Sequence, residues 1–457
     1  MSGIDKDVSD SGVLADRPTG VAAGRQTRYR HRWTVLGAVF GAQFLNYVDR
    51  SAISLAAPFI IAEYSFSPAT WGWILGLFFV GYVPFCFIGG WAADRFGVRK
   101  VMTLAVTTWS LFTAATAAGF NFLSFGVIRM LFGVGEGQIS PVAVKTVFVW
   151  FPEKRFSTAI GTQGMATPLG GAIGTPVVVA MIAATDSWRG PFVILGVIGL
   201  VAALGCWVLV RDHPSEHPWT PLAEIEEMRR EDKRVAARYR SADGTAQENL
   251  RDHVFKPVVW LCAFTWFGVI WLLYTFLNWF PLYLTEVHGV NLKGLAVANS
   301  VPWIAGSAGL FLGGLLTDAL ARRYGRSPFT PRKWMIVVCV LLAGALLPLI
   351  TVARTTLSAM LVMAVVLLLI YGPLGQLNSV IAGAVPKSVY GGVCGFAQLI
   401  GNTAGILSPI VIGHLLETSF GWNGIWLLAG LVAVVPVLAL AFFRSRSVGG
   451  DRAPAAT

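Results

Sequence analysis

Charge is what this chain has least of. Asp, Glu, Lys and Arg make up 13% of its 457 residues, about half the roughly 25% of an ordinary soluble domain. A water-facing surface cannot be built from so little charge, which argues against a soluble fold. Cysteine is scarce too. The five (Cys86, Cys206, Cys262, Cys339 and Cys394) all lie in apolar runs, and no two form a C-x-x-C pair. That speaks against disulfide and metal roles and leaves them as small buried hydrophobes. The six histidines do not cluster, and no nucleophile–base pair is visible. No enzyme, metal or cofactor is therefore expected, and His414 is read as interfacial. The polar first residues lack the short apolar core of a secretory signal.

What the chain has instead is apolar length. A membrane helix needs about 20 apolar residues, and roughly twelve runs qualify on that basis. They cover 33–61, 70–92, 101–119, 121–145, 157–183, 190–211, 257–284, 293–318, 333–353, 357–384, 390–416 and 423–443. The net charge of +11 then reads as topology rather than as nucleic-acid binding. Basic residues crowd alternate connections: Arg95, Arg99 and Lys100; Lys154 and Arg155; Arg322, Arg323, Arg326, Arg332 and Lys333; Lys387; Arg444 and Arg446. The opposite connections hold only Arg189, Lys293 and Arg354. Cytoplasmic loops collect Lys and Arg, so both termini are expected in the cytoplasm. The expected layout is a disordered tail (1–32), a six-helix bundle (33–211), a charged linker (212–256), a second six-helix bundle (257–443) and a short tail (444–457). The linker is read as a partly helical surface tether.

The halves repeat. Gly90 to Asp94, a Pro152 loop and a Gly-rich helix ending at Pro176 are matched by Gly314 to Asp318, a Pro386 loop and a Gly-rich helix ending at Pro409. Repeated six-helix halves place a substrate site between them, near mid-membrane.

Four charges lie inside spans: Asp49 and Arg50 in the first, Arg129 and Glu136 in the fourth. Each costs at least ~2.5–3.5 kcal/mol at mid-span and so marks function by default. The bland reading is an ion pair that merely locks two helices together. Arg129 and Glu136, seven apart, share a helix face about 10 Å apart along the axis. Lys145, at the end of that helix, is expected to snorkel. In span 7, Tyr274 and Asn278 share a face. Gln376, Asn378 and Ser379 in span 10 are expected to face a cavity or another helix.

The stretch "GGWAADRFGVRK", Gly89 to Lys100, resembles the signature loop of the major facilitator superfamily. Gly90, Asp94, Arg95, Gly97 and Arg99 would then gate a rocking motion, with Asp318 in the weaker second copy. "NYVDR" in span 1 with "RMLFGVGEG" in span 4 resembles the anion:cation symporter branch, whose members carry galactonate, hexuronate, glucarate and phthalate. The resemblance implies an organic carboxylate moved with protons. It places Tyr47, Arg50, Tyr82, Arg129, Tyr274, Asn278 and Asn402 at the substrate, and Asp49 and Glu136 on the proton path. The branch's span 5 Gly-Gln pair is absent: its Gln position falls on Thr167, with Gln163 one turn earlier, and Thr167 is taken as the expected substrate contact there.

The physics of the residues fits that implication. A guanidinium offers a carboxylate two parallel donors and keeps its charge, and a carboxyl group in a dry cavity can exchange a proton near neutral pH. On this reading Arg50 meets the substrate, while Arg129 holds Asp49 or Glu136 in its ionised form. The expectation is an all-α, twelve-helix membrane protein of two pseudo-symmetric bundles. It would be a monomer in a bacterial inner membrane, importing a sugar acid (aldonate, aldarate or uronate) with protons by alternating access. Its partners would be lipid, protons and a small organic anion, and not nucleic acid. The alternatives are an importer of aromatic or short dicarboxylic acids, and a proton-driven exporter of drugs or metabolites. A flux-less sensor and a membrane-embedded enzyme have less in their favour.

Overall fold

A backbone in lipid must satisfy its own N–H and C=O groups, and a helix does this within one segment. In a computed structural model of the chain, which describes residues 31–151, 153–222, 224–230, 250–324, 329–382, 384–385 and 389–443, the regular elements are helical throughout. The first half holds α1 (His31–Tyr64), α2 (Pro68–Phe96), α3 (Val98–Thr116), α4 (Phe122–Gly137), α5 (Ile139–Trp150), α6 (Glu153–Gly164), α7 (Ala166–Thr185) and α8 (Gly190–Leu209). The second holds α9 (Pro257–His288), α10 (Leu292–Ala298), α11 (Ser300–Tyr324), α12 (Phe329–Leu346), α13 (Thr356–Tyr371), α14 (Leu374–Ala382), α15 (Tyr390–Leu416) and α16 (Gly421–Phe442).

Several expected spans are two helices end to end. Gln138 separates α4 from α5, Met165 separates α6 from α7, and Asn299 separates α10 from α11. The break between α13 and α14 falls at Gly372 and Pro373, where proline cannot donate a backbone hydrogen bond. Among the described residues, nine stretches are long and apolar enough to cross a membrane. Spans one, three and four fall outside that count. They carry buried polar groups, including Asn46, Asp49 and Arg50 on α1, Thr113 and Thr116 on α3, and Arg129 and Glu136 on α4.

The repeat read from the sequence returns as packing. In the first half α1 packs on α7, α2 on α4 and α3 on α8; in the second, α9 packs on α15, α11 on α13 and α12 on α16. The architecture is two pseudo-symmetric six-helix bundles. Small residues permit the tightest crossing: a Cβ on Gly81 would lie 2.0 Å from the Met130 carbonyl oxygen, and one on Gly133 would lie 2.0 Å from that of Phe78. Such close approach is how helices associate where water supplies no hydrophobic drive.

The bundles meet along α2 with α15, α7 with α11, and α1 with α9. At the end carrying Ser67 and Glu417 they are closed against each other. A Cβ on Gly72 would lie 2.3 Å from the Pro409 carbonyl oxygen. The Ala69 N–H donates to Glu417 Oε1 at 3.0 Å, Asn299 Nδ2 donates to Thr175 Oγ1 at 3.0 Å, and the Ser300 hydroxyl donates to the Ala172 carbonyl at 2.8 Å. Ser67 and the Ala69 N–H hold the Glu417 carboxyl below the ordinary carboxylate range.

The linker differs from the surface tether expected of it. Its described first part docks on the N-terminal end of α1. Glu224 is buried and accepts from the backbone N–H of His31 (3.0 Å) and of Arg32 (3.2 Å), and it pairs with the Arg32 guanidinium. The His31 and His217 rings lie 4.0 Å apart, and burial lowers the pKa of both. Charged residues were read as exposed because sequence alone does not show that Arg32 and Glu224 find each other across nearly two hundred positions. Residues 231–249, the N-terminal tail to residue 30, and the C-terminal tail from residue 444 lie outside the described residues.

Candidate functional site

Of the two adjacent charges in the first span, Arg50 has partners on α4 and α9. Arg50 is 5% exposed, and its Nε donates to Glu136 Oε2 at 2.8 Å. Its Nη1 donates to the Tyr274 hydroxyl, across the bundle boundary, at 3.3 Å. Three rings surround the guanidinium: Tyr82 at 4.8 Å, Phe78 at 5.0 Å and Tyr47 at 5.1 Å from Cζ to ring centroid. Ring faces attract a desolvated cation by ~2 kcal/mol or more each. They hold Arg50 charged without consuming the donors that a carboxylate needs.

Arg129 departs from expectation. It makes no ion pair with Asp49 or Glu136 among the described residues. Its Nη2 donates to Thr116 Oγ1 at 2.8 Å, and its guanidinium lies 4.5 Å from the Phe132 ring centroid. The reason lies in α3, which presents a hydroxyl at that height. Nε of Arg129 has no hydrogen-bond partner, and neither carboxylate oxygen of Asp49 has one. The indole N–H of Trp109 neighbours Asp49 without meeting hydrogen-bond geometry. Glu136 is fully buried and uses one oxygen only; Oε1 is unpaired. The centre thus holds one made pair, Arg50–Glu136, and two further buried ionisable side chains, Asp49 and Arg129, that meet no opposite charge at bonding distance among the described residues.

A cavity lies between the two arginines, walled by Phe78, Phe79, Phe132 and Leu277, with Asn278 at its edge. The space open to a water-sized sphere is about 20 Å³, room for roughly one water. A six-carbon acid does not fit there while Glu136 holds Arg50. Asn278 is buried, and its Nδ2 has no partner.

The other expected contacts spread more widely. Tyr47, Tyr82, Tyr274 and Asn278 join Arg50. Asn402 is half-buried and donates to the Gln398 carbonyl of its own helix at 2.9 Å. Thr167, half-buried at the start of α7, makes no hydrogen bond to this cluster among the described residues. Gln163 is buried and donates to Gln43 Oε1 at 2.9 Å. Gln398 donates to Asn378 Oδ1 at 3.4 Å, so that amide faces another helix. The side chain of Ser379 lies outside the described residues.

In the signature loop, Asp94 pairs with Lys145, which therefore does not snorkel freely. Gly97 has φ +88°, and a Cβ there would strike the Asp212 carboxylate. Asp212 accepts from the Arg99 N–H at 2.9 Å, and the Arg99 side chain donates to the Trp207 carbonyl at 2.8 Å. Gly90 passes Pro141 at ordinary contact distance, and Arg95 lies 5.9 Å from the Phe96 ring centroid. These contacts stay within the first half. The Asp318 side chain lies outside the described residues.

Sequence reading missed Trp303 and Tyr371. Tyr371 stands in the "YGPLG" stretch, and its buried hydroxyl has no partner. Neither carries a charge, so the cost argument that found the other residues passes over them.

The profile described as Major Facilitator Superfamily matches residues 39–379. Two curated relatives cover almost the whole chain. The hexuronate transporter of Bacillus subtilis (strain 168) is 34% identical over 412 residues, 90% of this chain and 94% of that one. The probable sulfoacetate transporter of Cupriavidus necator is 32% identical over 421 residues, 91% of this chain and 94% of its own length. Among solved structures, the D-xylose–proton symporter aligns with a TM-score of 0.70 at 16% identity, covering 91% of this chain and 98% of that one. At that identity the likeness speaks for the fold alone.

Proposed function

We propose, from the premise that this chain belongs to the Major Facilitator Superfamily and is a multi-pass membrane transporter rather than an enzyme, that it imports an organic carboxylate together with protons. The observation that carries this reading is the Arg50–Glu136 pair at 2.8 Å. A substrate carboxylate seeks the Arg50 guanidinium, of which Glu136 occupies one donor, Nε. While Glu136 is ionised it competes with the substrate; once protonated, it releases Arg50. Binding of the anion is thereby tied to uptake of a proton. Asp49, buried without a hydrogen-bond partner, is the second proton carrier. An unpaired buried charge is costly, and a carboxyl group there holds its proton instead.

A sugar acid is the favoured substrate, because the hexuronate carrier matches at 34%, the cavity is lined by the Asn278 amide, and the Tyr47 and Tyr274 side chains lie against Arg50. The sulfoacetate relative supports a second reading, a shorter acid, and Thr167 in place of an amide is consistent with it. The basic connections put both termini in the cytoplasm of a bacterial inner membrane, with the closed Ser67–Glu417 end outside. Alternating access then opens that end as the signature loop with Asp94, and its second copy at Asp318, closes the other. The protein acts as a monomer.

The test is uptake by the purified protein in liposomes. Glucuronate accumulation driven by an inward proton gradient, and abolished by an uncoupler, is expected. Equal uptake with and without the gradient would remove proton coupling, and no binding of any carboxylate would remove the anion reading.

A further inference from the structure

Trp303 touches both the carboxylate site and the closed seam between the bundles. It is fully buried near the start of α11. Toward the site, its ring packs edge-on to Tyr47 at 5.9 Å and 87°, and Tyr47 lies against Arg50. It also lies 6.4 Å from the Tyr371 ring. Toward the seam, the indole fills the place of a missing side chain. A Cβ on Gly171, in the other bundle, would lie 2.4 Å from its ring carbons. Asn299 and Ser300, about one turn earlier, make the seam hydrogen bonds to Thr175 and Ala172. The Trp303 indole N–H and the Tyr371 hydroxyl are both buried and meet no partner among the described residues.

We infer that Trp303 is the positioning residue that clamps the α7–α11 seam, and that an occupied site tightens this clamp when the acid bears hydroxyl groups along its chain. The inference rests on the carboxylate reading above. Two unpaired buried donors are costly until something accepts from them. A carboxylate held by Arg50 brings its chain hydroxyls toward the second bundle, where they can accept from the indole N–H and the Tyr371 O–H. Those bonds hold the indole in register with the Gly171 socket, and the socket holds α7 against α11. An acid of the same length without hydroxyls leaves both donors unmet and adds nothing to the clamp. The close helix approach at Gly171 and the substrate preference are thus two effects of one side chain.

Two measurements test this in the full chain in liposomes. The first is reactivity of a Thr175→Cys reporter toward an impermeant maleimide, read above the background of the native cysteines. Gly171→Ala should raise it several-fold with no substrate present, because the methyl cannot coexist with the indole. The double variant Gly171→Ala/Trp303→Val, which carries no atom at the Cδ2 and Cε2 positions that the methyl meets, should return it to the parent level. Unchanged reactivity in Gly171→Ala, or no rescue, overturns the socket role whatever the substrate is. The second compares glucuronate with hexanoate, a six-carbon monoacid lacking hydroxyls. Trp303→Phe should weaken glucuronate binding about tenfold, the loss of one good hydrogen bond, and leave hexanoate competition unchanged. Equal loss for both acids would make Trp303 merely structural. Failure of the parent protein to bind any carboxylate would instead sink the carboxylate reading.

Discussion

Glu136→Gln is the sharpest test of proton coupling. The amide keeps the shape of the carboxylate and can still accept from Arg50 Nε, but it carries no charge and no titrating proton. In the parent protein the contact is a charge-assisted bond at 2.8 Å between groups 5% and 0% exposed. Hydrogen bonds to charged groups contribute ~1.5–3 kcal/mol, and because Arg50 stays charged the amide moves this bond from the upper end of that range toward the lower. The substitution therefore weakens the internal competitor by about 1–1.5 kcal/mol, which is about tenfold in the substrate's favour. Glu136→Ala would in addition leave the Arg50 Nε without an acceptor, so glutamine is the cleaner probe. The assay is glucuronate binding to purified protein across pH 5.5 to 8.5, followed by liposome uptake. Parent binding should weaken as pH rises and Glu136 ionises. Glu136→Gln binding should stay near the parent's low-pH value throughout, about tenfold tighter than the parent at high pH. The variant should exchange substrate across the membrane but fail to accumulate it. Accumulation at the parent level, or an unaltered pH dependence of binding, would refute the assignment of Glu136.

Other sites yield narrower expectations. Gly133→Ala places a methyl 2.0 Å from the Phe78 carbonyl oxygen, and such overpacking costs ~1–3 kcal/mol. A lower thermal midpoint is expected, together with weaker anion binding, because Phe78 and Tyr82 both lie on Arg50. Glu224→Ala strips buried Arg32 of its main partner and should cost ~3–5 kcal/mol, whereas Glu227→Ala at the exposed side should cost under ~1 kcal/mol; limited proteolysis of the linker separates the two. Arg189 and Trp188 donate to Glu63 and bring its pKa down to about 2. A depressed carboxylate stabilises the fold above its unfolded pKa and loses that contribution as pH falls through the folded value. Arg189→Ala should therefore lower the thermal midpoint modestly at pH 7 and much less near pH 2; an equal drop at both would refute the ion-pair account.

Much of this molecule is written in local sequence. Run length and composition decide how many helices cross the bilayer, because lipid penalises each exposed polar group independently of the rest of the chain. Four charges in apolar runs announce the site, because their cost depends on the membrane and not on their neighbours. The repeat is equally local, and the matched packing of α1 on α7 and α9 on α15 follows from it. What spacing cannot convey is register between distant helices. Arg129 and Glu136 share a face of α4, yet it is α1 that delivers Arg50 to Glu136, and α3 that supplies Thr116 to Arg129. Whether a polar group is met depends on which side chain arrives at that height from another element. Trp303, an ordinary apolar residue in its own segment, acquires a role only when Gly171 from the other bundle is brought beneath it. The linker's Glu224 likewise becomes a buried partner only once the chain has returned to its own first helix. The sequence determines the parts and their cost in lipid. The tertiary structure decides the pairings, because a pairing is a property of two distant segments at once.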